Sequence, residues 1–465
     1  MKKTIIFIAS LALAFACTKE SPLNVTPTSG VENVSKYVVE NYTGGTGTVN
    51  SIPEDFASAD EYYEALREWK EDAWGERGLV KRSISYIFFA DYGSMAFRFA
   101  DIPDSMDVVN LWGGIPKMNS LDYWEMKTCQ EVKGMKVVGC RITRILENQK
   151  WGMQARIPSF MKAYQSYRDS RQGELDAIQE KIDEFDESDY DTEEEASEAL
   201  TALKVSYNSK DAEIEGLAKT AGNSALRADV NSHTTKASSK WPDTDDNWPE
   251  WIVYGAGYLL NEVAEYGLNG YDLDYEPEGD PLSGTAFNTF VSYMAQYIGP
   301  KADPDYKEAF ADHPLNESGS PIEYGDLLII DRNSGVGDAS LAKYCNFWIY
   351  QKYGSTGGAS PASASDFPSN LNPDSGWVPC QVITTENVGD TWAGGCNNLE
   401  QMARFQPSTI GRDYGHKGGF ASFHGQRDWR IQAEGAEDGK ILRYAHHRRG
   451  IAAQAAETRY SKTQK

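Results

Sequence analysis

Basic residues are scarce in this 465-residue chain: 45 Lys and Arg stand against 69 Asp and Glu, giving a formal charge of −24 and a pI near 4.7. A surface so acidic repels phosphate backbones and excludes a nucleic-acid partner. Long apolar runs are lacking as well. The one near the start, within residues 4–16, is too short to span a bilayer as a helix of the mature protein. Histidine and cysteine number six each, and their spacing suggests no metal site, so neither metal nor cofactor is expected. The histidines are scattered; His446-His447 falls in a basic C-terminal helical pattern, where solvation is the plainer role.

The cysteines divide by position. Cys17 follows a charged start (Met1-Lys2-Lys3), a short apolar run and small residues, the pattern of an export signal. Ala14-Phe15-Ala16-Cys17 resembles a loose bacterial lipobox, which implies lipidation of Cys17 at the mature N-terminus. Ordinary secretory cleavage, with Cys17 incidental, is the alternative. Residues 18–48 are rich in Ser, Thr, Gly and Asn and suit a flexible tether. The expected organisation is a signal over 1–16, a tether over 17–50 and a folded body over 51–465. The combination resembles exported lipoproteins of Bacteroides-type bacteria, which implies a lipid-anchored protein of the outer membrane or cell surface. The other five cysteines, Cys129, Cys140, Cys345, Cys380 and Cys396, are odd in number, so in an oxidising compartment at least one stays unpaired. Cys140 and Cys345 lie in apolar strand-like runs and are read as buried thiols; pairing of Cys380 with Cys396 stays open.

What the chain does have is a row of acids. In Asn269-Gly270-Tyr271-Asp272-Leu273-Asp274-Tyr275-Glu276, acidic side chains recur at every second position up to Pro277. Side chains alternate across a strand, so Asp272, Asp274 and Glu276 share one face and Tyr271, Leu273 and Tyr275 the other. An exposed edge strand with a solvated acidic face would show the same alternation, but the bulky apolar positions need a core to cover them. Three carboxylates on one buried face repel one another unless protons or ligands offset the charge. That cost points to a catalytic strand.

These residues resemble the D-G-x-D-x-D-x-E signature of glycoside hydrolase family 18, with Asn269 in place of the first acid. The resemblance implies hydrolysis beside an N-acetylglucosamine without a protein nucleophile: the sugar's own acetamido oxygen attacks, giving an oxazolinium. Glu276 then protonates the leaving oxygen, Asp274 holds the acetamido N–H, and Asp272 shares a proton with Asp274 and helps keep Glu276 protonated. Asn269 stands at the motif's least chemical position. Residues 102–107 (Ile-Pro-Asp-Ser-Met-Asp) and Gln351-Lys352-Tyr353 are similar to stretches of Bacteroides-type endo-β-N-acetylglucosaminidases, which implies that Gln351 and Tyr353 face the sugar that reacts; ordinary loop capping is the bland alternative. The strand-three S-x-G-G pattern of chitinases is missing, with Val138-Gly139-Cys140-Arg141 in its place.

The rest of the chain alternates strand and helix patterns. Strands are expected over 83–90, 106–112, 135–142, the acidic run, 326–331, 344–350, 378–385 and 419–424, with a helix over 251–266 feeding the acidic strand. Eight such units imply an α/β fold, a (β/α)₈ TIM barrel whose chemistry sits at the C-terminal strand ends. Residues 158–239 break the rhythm: acidic and rich in Ala, Glu and Lys, with helical patterns over 174–185 and 193–220, they read as a helical insertion between strand three and helix four. It is either solvated decoration or a lid beside the cleft.

Further candidates for sugar contact fall at expected strand ends: Asp91 and Tyr92, Trp112, Asp331 and Asn333, and Glu386-Asn387. Trp392 and Trp429 are candidate stacking floors, though barrel tryptophans commonly serve packing. Two functions follow. The first is an enzyme, an endo-β-N-acetylglucosaminidase acting on the GlcNAc-β1,4-GlcNAc core of N-linked glycans or another GlcNAc-containing oligosaccharide, with a chitinase as variant. The second is a glycan-capture lipoprotein without turnover. Either would work beside other glycan-uptake proteins.

Overall fold

The computed structural model describes residues 58–75, 80, 84–90, 99, 102, 104, 106–113, 115, 118–146, 152–234, 248–332, 341, 343–351, 381–387 and 418–423. Eight parallel strands close into one barrel in chain order: β1 (Ile84–Phe89), β2 (Val108–Leu111), β3 (Lys136–Ile142), β4 (Gly270–Asp274), β5 (Leu327–Arg332), β6 (Phe347–Gln351), β7 (Gln381–Asn387) and β8 (Gly419–Phe423). β8 pairs back to β1 from Gly419 opposite Ile84 to Ser422 opposite Ile87, so the sheet has no edge. The expected strands are all present, most a residue or two shorter.

Around the strands stand α1 (Ala59–Asp72), α2 (Ser120–Glu131), α3 (Pro158–Asp183), α4 (Glu193–Thr234), α5 (Glu250–Tyr266), α6 (Thr285–Met294) and α7 (Pro304–Ala309). Alternate strand positions separate two cores. Tyr86, Phe88, Val108, Val138, Cys140, Ile329, Phe347 and Ile349 fill the barrel. Ile87, Val109, Val137, Tyr271, Leu273, Leu328, Ile330 and Trp348 pack outward against helices such as α5. Cys129, Cys140 and Cys345 are buried free thiols, as read for the last two; Cys17, Cys380 and Cys396 lie outside the described residues.

The acidic strand is locked in register from both sides. α5 ends at Gly267 in the left-handed conformation (φ 59°), which turns the chain into β4. A Cβ on Gly270 would lie 1.9 Å from the Leu327 carbonyl oxygen, so β4 and β5 can approach only around a glycine. A Cβ on Gly139 of β3 would strike the Tyr271 ring at 2.6 Å, which leaves that ring its place outside the barrel. The Tyr271 hydroxyl donates to Glu262 of α5 at 2.8 Å, and Arg141 pairs with the same carboxylate.

At the opposite, N-terminal end of the barrel, Asp107 accepts from the Ser85 amide and hydroxyl at 2.8 and 3.0 Å. Asp104 pairs with Lys133 at 3.0 Å. Asp104 and Asp107 therefore staple the N-terminal end of the barrel and stand away from the mouth.

Between β3 and α5, α3 and α4 form the inserted hairpin, longer than the sequence periodicity indicated. Phe160, Tyr164, Ala218, Leu226 and Val230 root it in the main core. Arg168 ties the two helices together through Asp211 and Glu215. Arg227 also donates to the Gly279 carbonyl at 3.2 Å, so the hairpin base touches the loop that follows β4.

Candidate active site

The acids gather where β4, β5 and β6 end. Asp272 and Asp274 point into the barrel and are almost wholly buried. The β4–β5 register sets Asp274 beside Asp331, which was expected as the last residue of the strand and is followed in β5 by Arg332. A third interior carboxyl thus joins the two on β4. Glu276, in contrast, lies beyond the last residue of β4 and keeps 23% of its side chain exposed. The ladder is two rungs of strand plus one residue at the mouth.

Each acid has its own donors. Tyr86 of β1 and Asn110 of β2 both reach Asp272 at 2.6 Å, and Asn110 also donates to the Tyr86 hydroxyl at 2.7 Å. Gln351, the last residue of β6, uses one amide nitrogen to hold Asp274 at 3.1 Å and Asp331 at 3.0 Å. The indole N–H of Trp112 completes the hold on Asp274, and its ring meets Phe423 edge-on at 5.1 Å. Gln351 is therefore first a bridge between two acids, where the sequence reading placed it after the strand and facing sugar.

Burial sets the protonation of this cluster. It pushes Asp272 up to about 7, against the lowering hydrogen bonds from Tyr86 and Asn110. Burial, then the charges of Glu276 and Asp272, push Asp274 up to about 8. Asp331 is raised well above the usual range by burial and by Asp274 and Asp272. So at neutral pH the three share protons, and Asp272 acts on Asp274 as a neighbouring charge. Glu276 is also raised, chiefly by burial; Arg144 opposes the shift and Glu278 reinforces it.

Sequence reading missed Arg144, two residues past β3. Its Nε donates to the Glu276 carbonyl at 2.6 Å and its guanidinium pairs with Glu278 at 2.5 Å, while the Glu276 carboxylate lies 3.5 Å away. Asp280 fastens the same two loops by accepting from the amides of Ile145, Leu146 and Leu282 at 2.8–3.1 Å. Tyr86 and Asn110 were missed too, and a signal existed for each: both hold inward positions of an otherwise apolar strand. Asn269 sits at the closed end, where its Oδ1 accepts from the Val137 amide at 2.9 Å and from Gln130 at 2.8 Å, lacing β3 to β4. Asn333, Tyr353 and Trp429, with Asp91, Tyr92 and Trp392, lie outside the described residues. Glu386 and Asn387 end β7 instead of following it.

A pH dependence of stability follows from the raised acids. A carboxyl whose folded pKa exceeds its unfolded value binds more protons folded than unfolded, so its contribution is complete below about 3.8 and is lost as pH rises toward the folded value. Asp331→Asn removes one such group while leaving an oxygen for Gln351. Thermal melts should show Asp331→Asn raising Tm more at pH 8 than at pH 5; an equal or smaller gain at pH 8 would contradict the buried, protonated acid.

No family model matches the chain, and no curated protein does. Among solved structures, an apo endo-beta-N-acetylglucosaminidase from Cordyceps militaris aligns over 88% of this chain and 99% of its own, at 14% identity and a TM-score of 0.41. A mutant of that enzyme in complex with fucosyl-N-acetylglucosamine-Asn covers the same shares, at 14% identity and a TM-score of 0.40. A GH18 chitinase from Pseudoalteromonas aurantia aligns over 77% of this chain and 97% of its own, at 12% identity and 0.31. At such identities and scores these likenesses add nothing to the barrel topology, which stands on its own strand pairing.

Proposed function

We propose that this chain is a glycoside hydrolase of the family 18 kind, an endo-β-N-acetylglucosaminidase that cuts the GlcNAc-β1,4-GlcNAc core of N-linked glycans with retention. The observation that carries the reading is a set of proton-sharing acids, Asp272, Asp274 and Asp331, inside a closed barrel, with the partly exposed Glu276 above them at its mouth. Acids that hold their protons near neutral pH are what a substrate-assisted cleavage requires. Glu276 is the reacting acid because it is the most exposed of the four, and its raised pKa favours the protonated form that the leaving oxygen needs. It then takes a proton from water. Asp274, tied to Gln351 and Trp112, can turn its ionised form to the acetamido N–H and balance the positive charge on the oxazolinium. Asp272 and Asp331 give Asp274 a reservoir of protons and negative charge.

Tyr353, Asn333 and Trp429 complete the sugar contacts in this proposal. Lipidated Cys17 would hold the protein at the outer membrane or cell surface. The contact of Arg227 with Gly279 supports the hairpin as part of the cleft rim. Incubation with an N-glycosylated glycoprotein tests the activity: mass spectrometry should find one N-acetylglucosamine left on asparagine. Binding with no release would favour a capture protein, and cleavage of chitin alone a chitinase.

The Arg144 clamp adds a prediction on rate. Glu278→Gln removes a charge that raises Glu276 and leaves Arg144 with one carboxylate fewer to pair with. Glu276 then loses its proton at lower pH, so the alkaline limb of kcat should move to lower pH. Arg144→Gln should move it the other way. Shifts in the same direction for both variants would contradict the clamp.

A further inference from the structure

Behind the acid cluster, outside the barrel wall, lies a cavity of about 340 Å³ between the ends of β4, β5 and β6 and the start of α6. Its walls alternate with those of the active site: Tyr275 follows Asp274 and Arg332 follows Asp331, each turned to the other side of its strand. A space of this size holds one sugar ring. It also collects groups that donate hydrogen bonds.

Trp348, 1% exposed, forms part of the wall, and among the described residues its indole N–H meets no acceptor. A buried donor left so costs free energy that a ligand's oxygen would recover. The first turn of α6 opens at the cavity: its cap is Gly284 (φ 54°), with no capping side chain, and Thr285 follows in the lining. The Gly284 N–H goes to the Tyr275 hydroxyl at 3.2 Å and the Ala286 N–H to the Ser283 carbonyl at 3.1 Å. Among the described residues, the amides of Thr285 and Phe287, with the positive dipole end, are therefore what this start offers an oxyanion. Arg332 supplies a full positive charge in the same wall, 5.5 Å from the centre of the Tyr275 ring. Tyr275 is itself stacked on Phe287 at 3.8 Å, giving a rigid aromatic surface. Aromatic faces suit the C–H face of a pyranose, and guanidinium, helix start and indole together suit an oxyanion.

We infer that this cavity binds a sugar unit bearing an oxyanion, a carboxylate or a sulfate, as a second site beside the one that cleaves. The proposed hydrolase does not require it, and it adds recognition of acidic saccharides to that function. The neighbouring carboxyls do not oppose such a ligand as full charges would, since Asp274 and Asp331 hold their protons up the pH scale.

Calorimetry or saturation-transfer NMR on the full mature chain tests the site with glucuronic acid, N-acetylneuraminic acid, N-acetylglucosamine 6-sulfate, N-acetylglucosamine and inorganic sulfate. Acidic sugars should saturate the protein and neutral N-acetylglucosamine should compete for this cavity at least about tenfold less well, the loss of one charge-assisted bond. The carboxylate and sulfate arms show which oxyanion is taken. Arg332→Gln should weaken binding about tenfold, and Trp348→Phe, which keeps the ring and removes the N–H, should weaken it less. Asn288→Asp places a negative charge on the lining at the start of α6 and should abolish binding, and a thermal melt of the same variant separates lost binding from lost folding. Equal binding of neutral and acidic sugars, equal binding of bare sulfate, or indifference to all three variants would overturn the inference. Binding is read without turnover, so an inactive protein that still takes acidic sugars fails as a hydrolase while this site stands.

Discussion

Glu276→Gln should hold an N-glycan as tightly as the unmutated protein and release almost none of it. The amide keeps the shape and the hydrogen-bonding reach of the carboxyl but cannot give or take the proton, so kcat should fall by about 10³-fold, the usual worth of a positioned acid–base group. Binding should survive because Glu276 stands at the mouth, and the interior donors to Asp272, Asp274 and Asp331 do not involve its side chain. The same variant should be unable to use the alkaline limb that Arg144 and Glu278 tune, leaving a flat residual rate across pH. A Glu276→Gln protein with more than a few per cent of the normal rate would remove Glu276 from the reaction.

Asp274→Asn is the second large effect. The nucleophile belongs to the substrate, and the protein's part is to orient the acetamido group and to meet the charge that grows on it. Replacing the carboxyl by an amide loses that charge and should cost about 10²–10³-fold in kcat, the range for one preorganised electrostatic group, with a smaller change in KM. A substrate carrying a hydroxyl in place of the 2-acetamido group separates this role from mere disruption. If Asp274 acts on the acetamido group, the two losses overlap, and the variant should be no slower than the unmutated protein on the hydroxyl substrate. Full additivity of the two losses would assign Asp274 a structural task. Because Asp274 is also a buried acid raised to about 8, the asparagine variant should melt higher at pH 8 while it turns over less.

The eight strands were legible because each is a compact apolar run bounded by turn residues, and a parallel barrel strand is buried on both faces. The acidic pattern on β4 was legible for the opposite reason, since polar residues at every second place of a buried strand are costly enough to be conspicuous. Its end was not. Glu276 continues the alternation in sequence, yet strand pairing stops at Asp274 opposite Asp331. Asp331 closes the apolar run read as strand five, and only the register across β4 and β5 reveals it as an interior acid beside Asp274. Tyr86 and Asn110 reach Asp272 from 186 and 162 residues away along the chain; each stands out as polar at an inward strand position, but only barrel closure brings them to that acid. Gln351 was singled out as a sugar contact, but its place depends on which acids lie within reach of its amide, and these are Asp274 and Asp331. Asn269 looked like a lost acid of the motif; at the closed end of the barrel its side chain joins two strands, and an amide serves there.

The proposed chemistry requires protons to stay on buried carboxyls where free aspartates would have lost theirs, and carbonyl ¹³C NMR of aspartate-labelled protein reads those protons out. Titrated from pH 4 to 9, and assigned by the loss of a signal in Asp272→Asn and Asp274→Asn, the interior resonances should move together between about 7 and 8. Interior aspartates that complete their titration below pH 5, like those on the surface, would contradict the account at its root.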